Sequence, residues 1–157
     1  MKKEIKVLFV CLGNICRSPA AEGILRHLSK DDREVNINIA SCGIGDWHLG
    51  KLPDARMRAA SLLRGVSLTS KAQAFEKSFF DKYDYIMVAD KEILRDLKHY
   101  AQTDEQKSKI LLMTEYADLY KRQEVPDPYY GGERGFENVL DMLENSCKGL
   151  LEHIKKG

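Results

Sequence analysis

Eight consecutive residues, Cys11-Leu12-Gly13-Asn14-Ile15-Cys16-Arg17-Ser18, gather a thiol, a guanidinium, a carboxamide and hydroxyl chemistry into one short loop. Such a loop, opening a helix, can turn several backbone N–H groups toward one point, and the helix adds positive potential there. Gly13 supplies backbone freedom, while Asn14 tolerates a left-handed conformation and can bond back to the loop. Arg17 carries a planar fork that suits two phosphate oxygens at once. A thiolate is the reactive form of cysteine, and helix N-termini and neighbouring cations favour it over the thiol. Cys11, at the head of the loop, stands where both act, and Ser18 can donate its hydroxyl to the sulfur. The chemistry implied is nucleophilic attack on a bound tetrahedral dianion, that is, on a phosphate monoester. A nucleotide-binding phosphate loop is excluded, because no GxxxxGK[ST] pattern is present.

A phenol departs more readily if it is protonated as it leaves. The loop contains no carboxyl group, so the acid must come from elsewhere. Asp127, in Val125-Pro126-Asp127-Pro128-Tyr129-Tyr130-Gly131-Gly132, is the candidate, since the flanking prolines restrict its backbone. It would act as general acid in the first step and as general base for water in the second. Alone, an Asp before Pro reads as a turn residue; beside the Cys11 loop it reads as the acid. Cys42 and Cys147 read as small buried apolar residues, the usual fate of free cysteine. For Cys16 two readings stand: the same packing role, or a thiol that traps Cys11 as a reversible disulfide.

The elements that must position these residues follow from patterning. Residues 5–10 form a compact, β-branched apolar run and predict a buried strand. Ser18-Pro19 predicts a helix start, with Ser as the N-cap and Pro first in the helix, and an amphipathic helix follows over 20–29. Strands are expected at 35–42, 83–89 and 109–113, and helices at 54–64, stopped by Gly65, and at 75–82, 91–100 and 135–155. Four strands alternating with helices predict an α/β three-layer sandwich with a four-stranded parallel sheet. Ligands of such sheets bind at the carboxyl ends of the strands, which is where the first strand delivers Cys11.

The bulk numbers fit one domain over residues 1–157. Lys and Arg number 25 against 24 Asp and Glu, so no global charge draws the chain to nucleic acid or an anionic membrane, and anion binding must be local. No apolar run is long enough for a transmembrane helix or a signal-peptide core, and the four cysteines form no CxxC pair or disulfide framework. The four histidines are scattered and form no ligand pattern with the cysteines, so zinc is not expected. The reading is a cytoplasmic protein.

Cys11…Arg17-Ser18 near the start, together with Asp127-Pro128-Tyr129-Tyr130 near the end, resembles the low-molecular-weight protein tyrosine phosphatases. Ser41, Asp46-Trp47, Pro53-Asp54-Ala55-Arg56 and Tyr83-Asp84-Tyr85-Ile86 also fall where that family has similar segments. The resemblance implies a flavodoxin-like fold and hydrolysis of phosphotyrosine through a cysteinyl-phosphate, without metal or cofactor. It assigns Cys11 as nucleophile, Arg17 as transition-state clamp and Asp127 as acid and base. The loop residues Leu12, Gly13, Asn14, Ile15, Cys16 and Ser18 would hold the phosphoryl group, with Asn14, Ser18 and Ser41 holding the loop. Trp47, Tyr129 and Tyr130 would wall the aromatic ring, which favours aryl over alkyl phosphates, although a lone Trp47 also reads as an ordinary interface or core aromatic. The expected partners are phosphotyrosine-containing proteins or peptides, and the chain is expected as a monomer or weak dimer. One departure concerns Asn14: many members bond it with a His where this chain has Ser70, and Gln73 stands where an Arg is common; a Ser hydroxyl or a water could substitute.

Three rivals fit parts of the pattern. Arsenate reductases share the fold and first motif but need two further relay cysteines, and Cys42 and Cys147 are far apart. Protein-arginine phosphatases tend to carry Thr where this chain has Ile15, whose apolar side chain suits an aryl substrate better than a guanidinium. A non-enzymatic phosphotyrosine-binding module would usually have lost Cys11 or Asp127, and both are present.

Overall fold

The computed structural model describes residues 2–128, 132 and 134–157. The apolar run at the start becomes strand β1 (Lys3–Cys11), whose second half is buried. Helix α1 (Arg17–Ser29) returns the chain to β2 (Val35–Gly43), which pairs in parallel with β1 from Lys3↔Val35 to Cys11↔Gly43. After α2 (Ala55–Leu62) and the short α3 (Phe79–Lys82), the chain enters β3 (Tyr85–Val88) on the other side of β1. Helices α4 (Lys91–Tyr100) and α5 (Asp104–Ser108) lead to β4 (Ile110–Leu112), and α6 (Gly135–Lys156) closes the chain. The sheet is parallel with strand order β2-β1-β3-β4, the flavodoxin-like order.

That order explains the layers. Crossovers between parallel strands are right-handed, so steps in opposite directions from β1 put their helices on opposite faces. Helix α1 lies on one face and α4 on the other, with α6 packed on α1 and α4 packed on β3 and β4. Leu8, Phe9, Ile86, Met87, Leu140 and Leu143 fill the core between them. Strand order reverses at β1, so the crevice at its carboxyl end is the natural ligand site, and Cys11 is its last residue.

Several boundaries differ from the sequence reading. The predicted cap at Ser18 is incorrect. Helix α1 begins at Arg17, Cys16 occupies the cap position without a side-chain cap, and the Ser18 hydroxyl is engaged elsewhere. Pro19 is third in the helix, where its missing N–H is one of those that lack an intrahelical partner. The helix expected over 54–64 ends at Leu62, because Gly65 adopts φ +80° and its N–H turns back to the Leu62 carbonyl. Arg64 then reaches across to Glu137, Asp141 and Glu144 of α6. The helix expected from 75 begins only at Phe79, because Gln73, Ala74 and Phe75 run beside the end of β2 and exchange backbone bonds with Gly43 at 2.8 and 2.9 Å. Helix α5 was not anticipated, although Thr103-Asp104-Glu105-Gln106 has the spacing of a capping box and the Thr103 hydroxyl accepts from the Gln106 N–H.

Gly43 ties this architecture to the loop. A Cβ there would lie 2.9 Å from the Leu12 carbonyl oxygen and 3.0 Å from both the Asn14 nitrogen and the Gly13 carbonyl carbon, all backbone atoms. Gly43→Ala is therefore expected to cost about 1–3 kcal/mol of stability. It should also weaken binding of inorganic phosphate by roughly tenfold or more, because a loop displaced by a fraction of an ångström misaims its N–H groups. Thermal melts and phosphate titration calorimetry would measure the two effects; unchanged phosphate affinity would show that Gly43 does not set the loop.

Candidate active site

At the mouth of the sheet a cleft of about 260 Å3 is bordered by Cys11, Arg17, Trp47 and Asp127 among others. It is slightly below the usual range of ligand clefts, roughly 300–1,000 Å3, and suits one phosphorylated side chain better than a whole nucleotide. The backbone ladder continues past the ends of β1 and β2, with the N–H groups of Ile44 and Gly45 donating to the carbonyls of Cys11 and Leu12 at 3.0 Å. The Asp54 N–H donates to the Ile15 carbonyl at 2.7 Å, which pins the far side of the loop to the start of α2.

The left-handed residue of the loop is Asn14, at φ +58°, and Gly13 is not among the residues with positive φ. The lack of a side chain at Gly13 serves a different need: a Cβ would meet the His48 ring at 2.9 Å, and His48 also borders the cleft. Asn14 is buried and its carboxamide is fully engaged. Nδ2 donates to Ser18 Oγ at 2.8 Å and to Ser41 Oγ at 2.9 Å, and Oδ1 accepts the Gln73 backbone N–H at 2.9 Å. The place of the missing His is thus taken by a backbone N–H from the segment that runs beside β2. The Gln73 side chain also donates to the Ser41 carbonyl at 3.0 Å.

Cys11 is 3 % exposed, and its Sγ lies 2.9 Å from Ser18 Oγ. Helix α1 has no side-chain cap, so no capping side chain competes with an anion for its first N–H groups. Arg17 is 5 % exposed and borders the cleft, and its Nη1 donates to Asp90 Oδ2 at 2.9 Å and to the Val125 carbonyl at 3.0 Å. Asp90 does double duty, since its Oδ1 also caps α4 through the Ile93 N–H. A guanidinium this buried needs such a partner, because stranding one member of a buried pair costs about 3–5 kcal/mol.

The aromatic and acidic candidates fall at the rim. Trp47 is 64 % exposed and its ring folds over Gly45, so it is a rim residue and not part of the core. Leu12 is exposed beside it, and Ile15 and Cys16 border the same cleft. Asp127 is partly buried and also borders it. Tyr129 and Tyr130 lie outside the described residues. Among the described residues no three His, Cys, Asp or Glu side chains are grouped to hold a metal ion, and no helix is long and apolar enough to cross a membrane.

The cysteines are sharply differentiated. Burial, then the charges of Asp54, Cys11 and Asp127, push the Cys16 thiol up to about 12. Burial also pushes up Cys42, with help from Cys11, and Cys147, with help from Glu144. All four are free thiols. Sequence reasoning missed Asp90, His48 and the buried Glu22, which bonds Ser41, and it named Gln73 without foreseeing that its backbone N–H holds Asn14. Asp90 had a signal, as an Asp at the carboxyl end of a strand and the start of a helix; the others had none.

Comparison with known proteins agrees with this geometry. Residues 6–157 match the family described as low molecular weight phosphotyrosine protein phosphatase. The low molecular weight phosphotyrosine protein phosphatase of Gallus gallus is 40 % identical over 152 residues, 95 % of this chain and 96 % of that protein. A protein tyrosine phosphatase structure from Entamoeba histolytica superposes with a TM-score of 0.91 at 38 % identity, covering 98 % of both chains. A Drosophila arginine phosphatase superposes with a TM-score of 0.88 at 32 % identity, covering 96 % of this chain and 98 % of that one. The chain belongs to the low molecular weight phosphotyrosine protein phosphatase family.

The environment of the four thiols predicts their reactivity. At pH 7, iodoacetamide should modify Cys11 well before Cys16, Cys42 or Cys147, because those three are held protonated and a thiol must ionise to react. Peptide mapping by mass spectrometry over a time course measures this order, and equal modification of Cys16 would contradict it.

Proposed function

We propose that this chain hydrolyses phosphotyrosine in proteins or peptides in two steps through a cysteinyl-phosphate. The observation that carries the reading is that Cys11, Arg17 and Asp127 border one cleft, with Ser18 Oγ 2.9 Å from the Cys11 sulfur. In the first step Sγ attacks phosphorus, the bond from phosphorus to the tyrosine oxygen breaks, and that oxygen takes a proton from Asp127. Arg17 and the loop N–H groups hold the three equatorial oxygens as charge builds on them. In the second step Asp127 takes a proton from water, the water oxygen attacks phosphorus, and the sulfur–phosphorus bond breaks to release inorganic phosphate. Ser18 then receives the departing thiolate. The residues supply nucleophile, clamp and acid, so no step is assigned to a metal. Four free thiols suit a reducing, cytoplasmic setting.

Phosphoarginine is the second reading, favoured by the superposition with the Drosophila arginine phosphatase. A guanidinium would want an acidic partner at the rim, and Asp54 borders the cleft. Its oxygens, however, already accept from the Arg56 side chain and from the N–H groups of Arg56 and Met57. Burial pushes the Asp54 carboxyl up, but those bonds outweigh it and hold the group below its usual value. Trp47 and Ile15 leave the rim better suited to an aryl ring.

Phosphotyrosine, phosphoserine and phosphoarginine peptides assayed side by side, with and without chelator, test the reading. Phosphotyrosine should be preferred in both conditions; a preference for phosphoarginine would overturn the substrate assignment. Cys11→Ser should abolish turnover while phosphate still binds. Asp127→Ala should slow phosphotyrosine hydrolysis by about 10²–10⁴-fold, with much less effect on aryl phosphates whose leaving group needs no proton.

A further inference from the structure

Helix α4 buries Ile93 and Leu97, while a second stripe of the same helix borders a groove at the β4 edge of the sheet. That groove holds about 350 Å3 and shares no bordering residue with the catalytic cleft. The stripe is Lys91, Leu94 and Lys98. A spacing of seven keeps the two lysines on one side of the helix, about 10.5 Å apart along its axis, with the leucine between them. Leu94 and Leu111 of β4 are half-buried and form an apolar floor. Glu115 and Arg122 close the other wall, where Arg122 Nε donates to Glu115 Oε2 at 2.8 Å.

The rim therefore carries three cations against one carboxylate. Among the described residues neither Lys91 nor Lys98 has an ion-pair partner, and both are exposed. A guanidinium has five N–H donors, so the Glu115 contact leaves others of Arg122 for a ligand. Arg122 also stands at φ +60°, a conformation that costs a non-glycine residue energy and is met most often at binding sites.

This combination selects among anionic ligands. A small inorganic anion would leave the apolar floor uncovered. An anionic membrane is a broad surface, whereas this floor is recessed and the chain as a whole carries a net charge of only +1. An extended peptide meets both demands. Its same-face side chains recur about every 6.6 Å, so acidic residues two before and two after an apolar one lie about 13 Å apart, within reach of two long, flexible lysines.

We propose that this groove docks an extended acidic segment of a protein partner, with one apolar side chain on Leu94 and Leu111 and the flanking carboxylates on Lys91, Lys98 and Arg122. Lys91 directly follows Asp90, the partner of Arg17, and its backbone N–H donates to Glu124 Oε2 at 2.9 Å. The docked segment thus lies on the flank of the strand ends that carry the cleft, and holds the partner there without entering the cleft.

The test is fluorescence anisotropy of a labelled synthetic peptide, Glu-Glu-Leu-Glu-Glu, titrated with the intact chain. Binding should saturate and weaken as salt is raised. Lys91→Glu combined with Lys98→Glu should weaken it by about tenfold or more. Both side chains are exposed, so the thermal melt should stay unchanged. Replacing the peptide's leucine by serine should weaken binding about fivefold or more without touching the protein. The proposal is overturned by a lack of saturable binding, by equal affinity in the folded double variant, or by indifference to the leucine. Displacement of the peptide by inorganic phosphate at constant ionic strength would place it in the catalytic cleft and overturn the proposal too. Capture of the chain by phosphatidylserine vesicles but not by the peptide, lost in the double variant, would assign the lysines to a membrane surface instead.

Discussion

The contact between Ser18 Oγ and Cys11 Sγ, 2.9 Å long and buried, is the interaction around which the rest of the molecule is arranged. A hydroxyl in the first turn of a helix ordinarily bonds the helix's own N–H groups. Here it faces the sulfur, and the helix starts without a side-chain cap. That arrangement is unfavourable for a helix in isolation, since its first N–H groups lack acceptors. It becomes favourable once an anion sits in the loop, because the same groups then have charged partners. The stability forgone at the start of α1 is therefore potential binding energy for a phosphoryl group. The extensive packing of α1 against α6 and β2 makes that omission tolerable.

Holding the loop open in this way needs support from outside it. Asn14 sits in the left-handed region, where a non-glycine residue carries strain, and three bonds to its carboxamide compensate. One comes from the Gln73 backbone, which can reach Asn14 only because residues 73–75 extend alongside β2 and do not join α3. Gly43, at the same strand end, is what lets the loop approach so closely. On the opposite side Asp90 fixes Arg17 and caps α4 together. The orientation of Arg17 is thereby linked to the packing of a helix on the far face of the sheet.

The parts legible in the sequence are those governed by local pattern. Residues 5–10 announced β1 by apolarity, 20–29 announced the body of α1 by amphipathic spacing, and Cys11, Arg17 and Ser18 stood within one octapeptide. Asp127 needed a second motif, because nothing local distinguishes it from a turn residue. What the sequence hid is long-range. The bonds from Arg17 to Asp90 and from Gln73 to Asn14 join positions 73 and 59 residues apart. Glu22 looks like a surface helix residue until the fold buries it against Ser41. Only the cap role read for Ser18 fails: local rules favour a cap, and the contact with the sulfur, which the octapeptide itself suggested, outweighs that preference.

Cys16 shows how one loop can hold two thiols with different fates. Both border the cleft, but burial and the carboxylates of Asp54 and Asp127 keep Cys16 protonated, up to about 12, whereas Cys11 receives the Ser18 hydroxyl. A thiol must ionise to attack oxidised sulfur. Oxidation of Cys11 to the sulfenic acid would remove only one of the charges that raise Cys16, and not the largest cause, which is burial. The environment that keeps Cys16 protonated therefore disfavours it as a trap for oxidised Cys11. Buried at 6 % exposure among the core side chains, Cys16 fills space beside Cys11 as a small apolar residue does.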